Sequence, residues 1–245
     1  EAFRAVAWER DNLVADPDFA PMAATELLDP VRLESRVRNI AMTQRTEWPA
    51  PRRASGGTAY LTVRDSDGMG ISLIQSNFHG IGSRLGAGDA GFFLHDRGSD
   101  FTLEPGHPNE LAPGKRPLHT LSPTLWTDKG QLRMLLGTRG GDFQPQTLLQ
   151  VATQMLWAGL SPAEAQLAPR WTTEEWRGGD NTSVTVEPHL AKEIVADLGR
   201  RGHDVVTAEA WMSGWGPVSV ITTDGSNSIG AADPRVASTA VRTTN

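Results

Sequence analysis

A threonine that follows two glycines can be more than the first residue of a strand. In Ser55-Gly56-Gly57-Thr58-Ala59-Tyr60-Leu61-Thr62, cutting the Gly57–Thr58 bond would give Thr58 both a nucleophile and a base. The hydroxyl would attack, and the freed α-amine, with an ordinary pKa of about 7.7–8.0, would carry the proton. Glycines ahead of the bond permit the backbone distortion that a threonine hydroxyl needs to reach the preceding carbonyl. Local spacing alone favours a plainer reading, a strand opening at Thr58, with Tyr60, Thr62 and Val63 suited to a pleated backbone. Acyl transfer also needs an oxyanion site. Gly137-Thr138-Arg139-Gly140-Gly141-Asp142 offers one, because adjacent glycines can turn backbone N–H groups toward a developing charge. Taken alone, that run reads more readily as a strand-to-helix turn.

Other chemistries find less support. Residues 78–91 are rich in glycine but lack both GxGxxG and a Gly-Lys-Ser/Thr ending, so they read as a loop skirting a pocket and not a phosphate cradle. The histidines at 79, 95, 107, 119, 189 and 203 show no His-Glu-x-x-His spacing. No metal and no cofactor is therefore expected. Cysteine is absent, which removes a thiol nucleophile and a disulfide framework and leaves the compartment open, bacterial cytoplasm and periplasmic or secreted space alike.

A hairpin is expected to hold Thr58, with strands over 58–65 and 69–76 turned at Ser66-Asp67-Gly68. It places Ser76 on the second strand. A second hairpin, 123–127 with 131–137, leads into the paired glycines, and a helix over 146–159 follows them. Upstream, helices are expected over 1–13 and from Asp29-Pro30 to about Met42, where Asp29 caps and Pro30 starts the helix. Residues 43–57 read as an exposed basic linker. Downstream come a short helix from Ser161-Pro162, a strand at 184–186, a helix over 189–201, and strands at 205–206 and 218–223. Strands and helices mix without a regular βαβ repeat, so the class is α+β with antiparallel pairing. Of the eight tryptophans, Trp171 and Trp176 read as core or rim and Trp211 and Trp215 as a Gly-flanked loop. Asn181-Thr182-Ser183 is a formal glycosylation triplet.

Six landmarks in one order carry a family resemblance: Gly57-Thr58-Ala59-Tyr60-Leu61; Asp65-Ser66-Asp67-Gly68; 72–78; 115–123; 137–142; and 230–235. From Thr58 onward the chain resembles the small, catalytic subunit of γ-glutamyltransferases, which are N-terminal-nucleophile hydrolases. Residues 1–45 resemble the end of that family's large subunit, notably at Asp11, Asp16-Pro17-Asp18-Phe19 and Leu27-Leu28-Asp29-Pro30. The resemblance implies an αββα sandwich, with residues 1–57 as a large-subunit segment and linker and 58–245 as the small subunit. It implies that most of the large subunit, and any signal region, lies outside this chain. It also implies a zymogen that cuts itself at Gly57–Thr58. Thr58 falls on the nucleophile, Gly140 and Gly141 on the oxyanion glycines, and Ser76 on a hydroxyl residue bonded to the nucleophile, where threonine is commoner.

In the donor pocket the implied match weakens. Asp100 falls on the carboxylate that holds a substrate α-ammonium. Arg97, however, stands where an amide or acid is usual, Phe78 replaces an asparagine, and His119-Thr120 replaces a Ser-Ser pair that binds the α-carboxylate. The chemistry thus carries over more firmly than the donor, and slow turnover of glutathione is expected.

A net charge of −6 with no basic stripe argues against a nucleic-acid or anionic-membrane surface, and no apolar run reaches the 18 residues of a membrane span. Two function classes remain. One is a γ-glutamyl hydrolase or transferase, or an acylase of the same mechanism, acting on a small γ-glutamyl or acyl amide. The other is a non-catalytic precursor or scaffold homologue, in which an intact Gly57–Thr58 bond ties up the base.

Overall fold

Five consecutive residues, Met134 to Thr138, are buried, which in a strand means that both faces are covered. They form the end of β4 (Gln131–Thr138) and mark the middle of a layered structure. The structure is a computed structural model and describes residues 1–48, 57–173 and 183–242. The linker from Pro49 to Gly56, Trp176 and the Asn181-Thr182 part of the glycosylation triplet lie outside the described residues.

The central sheet has the order β3 (Thr124–Asp128), β4 (Gln131–Thr138), β8 (Val218–Thr223) and β9 (Ser228–Ala231), every pair antiparallel. On one face Met134 and Leu136 of β4 join Val218 and Val220 of β8. They meet Leu148, Val151 and Ala152 of α5 (Gln144–Leu156) and Ala165 of α6 (Pro162–Leu167). On the other face lies a hairpin, β1 (Gly57–Arg64) with β2 (Gly70–Phe78). The two layers meet at glycines: a Cβ on Gly137 would fall 2.1 Å from the Tyr60 ring, and one on Gly70 would fall 2.6 Å from Leu132. Burial pushes the Tyr60 phenol up to about 12, while its hydroxyl bonds Ser72 Oγ at 2.7 Å. The outward side of the hairpin carries Leu61, Val63, Ile71 and Leu73, each about half exposed. Helices, central sheet and hairpin stack as successive layers, and the class is α+β.

A third sheet departs from the sequence expectation. In the order β5 (Trp171–Thr172), β6 (Ser183–Val186), β7 (Asp204–Thr207), β6 and β7 run parallel. The helix α7 (Lys192–Arg200) joins them as one βαβ crossover. Two strands were not expected from the sequence: β5, which is only two residues long, and β9.

The N-terminal segment holds α1 (Ala2–Ala7), α2 (Arg10–Leu13), α3 (Ala24–Leu27) and α4 (Pro30–Arg38). The single helix expected over 1–13 is split at Trp8 and Glu9, which both keep right-handed helical dihedrals. The Asp29 carboxylate caps α4 by accepting from Arg32 N at 3.0 Å. That helix stops at Arg38, short of Met42, because the Ala41 N–H turns to Thr46 Oγ1 at 3.1 Å. Glu9 accepts from both Arg32 and Arg36 and ties the segment together. Among the described residues no helix is long and apolar enough to cross a membrane, and no group of three or more His, Asp and Glu could hold a metal ion.

Candidate active site

Thr58 pairs with Ser76, and Gly57 with Phe78. One strand advances by one residue and the other by two, so Asn77 is an extra residue, a bulge directly across from the Gly57–Thr58 bond. Beyond it Phe78 is fully buried with φ +74, a conformation that costs an L residue of order 1–3 kcal/mol. Strain is thus stored opposite the bond, on an aromatic residue and not on a glycine.

The bulge makes Ser76 a junction. Its hydroxyl donates to the Gly57 carbonyl at 2.6 Å and accepts from the Phe78 N–H at 2.9 Å and from Arg97 Nη2 at 3.1 Å. Arg97 is 2% exposed. Its Nη1 donates to Thr120 Oγ1 at 2.8 Å, and the guanidinium lies 4.3 Å above the Phe78 ring. Burial lowers the Arg97 pKa, opposed by the charges of Asp100, Asp96 and Asp142.

Asp100 ends the 3₁₀ turn Arg97–Asp100. Arg97 makes its hydrogen bonds to Thr120 and Ser76, and no Arg97–Asp100 ion pair forms among the described residues. Burial, reinforced by Asp142, pushes the Asp100 carboxyl up to about 6, and its Oδ2 has no hydrogen-bond partner there. A carboxyl so placed can receive an ammonium group, whose charge would return it to the ionised form. His119 sits on the rim beside Thr120; burial and the Arg97 charge lower its pKa. Near Arg97, His79 bonds Asp96 through its Nδ1 at 3.0 Å.

The paired glycines follow β4 after a single residue, Arg139. Gly140 has φ +131 and Gly141 φ +55, both in the half of conformational space that glycine enters without a steric penalty. A 3₁₀ turn, Gly141–Phe143, then runs into α5. Asp142 is ion-paired by Arg10 of α2, and it acts on the charges of both Arg97 and Asp100. Ser122 N donates to the buried Gln144 Oε1 at 3.1 Å, which ties the 119–122 loop to the start of α5. Hydrogen bonds therefore link Gly57 through Ser76 and Arg97 to Thr120, and Ser122 of the same loop bonds the first residue of the helix that follows the glycine turn.

Sequence reasoning did not find what supports that turn. Gly216 packs behind Gly140 with φ +62, and a Cβ there would lie 2.2 Å from the Arg139 carbonyl oxygen. Arg170 Nη1 holds the Gly216 carbonyl at 2.9 Å while Nη2 pairs with Asp233 at 2.6 Å. Asp233 also accepts from Val218 N at 2.8 Å, and Arg235 pairs with Glu187. The four side chains are essentially buried; desolvation lowers the Arg170 pKa to about 10. Asp233 and Arg235 stood in a landmark without a role, whereas Arg170 and Glu187 carried no signal. Arg116 and Asp16 join the N-terminal segment to residues 115–123 at 2.6 Å.

Nearly the whole chain finds relatives. The Gamma-glutamyltranspeptidase family matches residues 1–243. The chain is 35% identical over 240 residues to the glutathione hydrolase-like YwrD proenzyme of Bacillus subtilis, covering 96% of this chain and 45% of that protein. It is 32% identical over 227 residues to the oxamate amidohydrolase proenzyme of Klebsiella pneumoniae, covering 92% and 43%. The solved cephalosporin acylase of Bacillus halodurans superposes with a TM-score of 0.81 at 31% identity, over 95% of this chain and 42% of that one. The chain thus spans less than half the length of the relatives it matches. Nearly all of it aligns with them, and by both sequence and fold it belongs to the gamma-glutamyltranspeptidase family.

Proposed function

We propose that the chain carries the catalytic part of an amide hydrolase or acyltransferase whose nucleophile is Thr58, freed by cleavage of Gly57–Thr58. Residues 1–57 then form the end of the large subunit and 58–245 the small subunit, with the rest of the large subunit as partner. Thr58 Oγ attacks the amide carbonyl, its α-amine relays the proton, and the N–H groups at Gly140 and Gly141 receive the oxyanion. Water or an acceptor amine releases the acyl-enzyme. The observation that supports this reading most is the grip of Ser76 on the Gly57 carbonyl at the bond preceding Thr58.

The donor class is a γ-glutamyl amide or another small acyl amide. Arg97 and Thr120, bonded to each other beside Ser76, favour an amide other than glutathione. The relatives named for glutathione, oxamate and cephalosporin are consistent with one mechanism serving several amides. The test is to purify the full-length protein, measure fragment masses, and assay ammonia or amine release from glutathione, γ-glutamyl anilides and short acyl amides. Fragments meeting at Gly57 and Thr58, loss of cutting in Thr58→Ala, and a preferred donor other than glutathione are expected. An uncut wild-type protein that is inert would return the scaffold reading; an uncut, active one would end the N-terminal-threonine mechanism.

A further inference from the structure

The Gly57 carbonyl oxygen already has a hydrogen-bond donor while the Gly57–Thr58 bond is intact. When Thr58 Oγ adds to the Gly57 carbonyl carbon, negative charge develops on that oxygen. The Oγ proton passes to the Thr58 nitrogen as the C–N bond breaks, leaving an ester between Gly57 and Thr58. Water then hydrolyses the ester to a Gly57 carboxylate, a free hydroxyl and a free amine. The group already donating to this oxygen is the Ser76 hydroxyl at 2.6 Å.

We propose that Arg97 is a positioning residue for this self-cleavage, acting through Ser76, so that Ser76 and Arg97 form an oxyanion site for maturation separate from Gly140 and Gly141. The inference rests on the Thr58 reading above. Ser76 spends its one proton on Gly57 O and receives two donors on its oxygen, the Phe78 N–H and the Arg97 guanidinium. A cationic donor polarises the hydroxyl it serves and strengthens the hydrogen bond passed on. The effect grows as charge develops on Gly57 O, so it favours the transition state over the ground state.

The guanidinium is also fixed in advance. Thr120 holds its other arm, the Phe78 ring lies beneath it, and it is almost wholly buried. Preorganised charge of this kind needs no rearrangement at the moment of reaction. The bulge at Asn77 and the strained Phe78 are what bring the Phe78 N–H and the serine hydroxyl to one point. Arg97 thereby acquires a use that does not depend on which amide the mature protein prefers.

The test is a double-mutant cycle on the cutting rate. Wild type, Ser76→Ala, Arg97→Met and the double variant are made as full-length protein by cell-free synthesis, chased, and followed by intact mass, with thermal melts as a folding check. Removing an oxyanion donor, as in Ser76→Ala, should slow cutting about 10²–10³-fold. Arg97→Met should slow it about tenfold, the step between a charge-assisted and a neutral hydrogen bond. In the Ser76→Ala background the arginine change should add less than about twofold, because its route is gone. A merely structural arginine would slow both backgrounds alike, and that result overturns the proposal. So does Arg97→Met cutting within twofold of wild type. Should Arg97→Met fail to fold, Thr120→Val, which frees one arm of the guanidinium, carries the same test: slower cutting supports the relay and an unchanged rate overturns it. A wild type that does not cut at Gly57–Thr58 instead removes the parent reading, which keeps the two failures distinct.

Discussion

Gly216→Ala tests whether the turn after β4 is held as the proposed oxyanion site requires. The added Cβ would sit 2.2 Å from the Arg139 carbonyl oxygen and 2.6 Å from Thr138 Oγ1. Ordinary Cβ contacts begin near 3.4 Å, so backbone has to yield by roughly 1 Å. Gly216 cannot easily yield, because Arg170 holds its carbonyl and Trp215 beside it is buried. The displacement therefore falls on Arg139 and Gly140. A misplacement of about 1 Å in a catalytic group costs about 10²-fold in rate, near 2.7 kcal/mol in the barrier. The left-handed φ of +62 adds a stability cost of about 1–2 kcal/mol for an L residue. The assay is kcat on protein already cut at Gly57–Thr58, with a denaturant melt to establish folding. Gly199→Ala is the control, since nothing lies within 4 Å of a Cβ there; within α7 it should be neutral or slightly stabilising. A cut, folded Gly216→Ala protein with wild-type kcat would refute the assignment of this turn.

Two further substitutions probe the surroundings. Asp233→Ala leaves Arg170 and Arg235, with side chains 3% and 0% exposed, short of a buried counter-charge. It should cost about 3–5 kcal/mol in urea unfolding, and a loss below about 1 kcal/mol would contradict a supporting role for the network. Asp100→Asn should show a pH signature. The carboxyl is raised from 3.8 to about 6 in the fold, so the fold favours its neutral form. That contribution is complete below pH 3.8 and lost as pH rises through about 6. The stability of Asp100→Asn relative to wild type should therefore climb from pH 4 to pH 7 and then level off. A difference in urea midpoint that does not vary with pH would refute the burial argument.

Local chemistry was legible in the sequence wherever a short segment settles its own conformation. Asp67-Gly68 marked the turn of the first hairpin, Asp29-Pro30 the start of α4, and Ser161-Pro162 with Glu164 a capping box. The α+β class and the order of family landmarks could also be read, because both depend on patterns of a few residues. Boundaries were less legible. α5 begins at Gln144, ahead of the expected 146, and ends at Leu156; Gly159 beyond it turns the chain so that Leu160 N reaches Gln154 O.

Only the tertiary structure decided what joins distant segments. The parallel pairing of β6 with β7, the Arg10–Asp142 and Arg116–Asp16 ties, and the Arg170–Asp233–Arg235–Glu187 network each link residues with no common sequence pattern. Arg97 is the clearest case. From sequence it stood as a pocket charge close to Asp100, whereas in the fold it turns to Ser76 and Thr120. A buried guanidinium goes where hydrogen-bond acceptors meet it in three dimensions, and that depends on how the hairpin bulges at Asn77 and which loop closes over it. Sequence thus determined the residue types available to the site. The fold decided which of them meet, because desolvation penalises every buried polar group until a partner, often far along the chain, satisfies it.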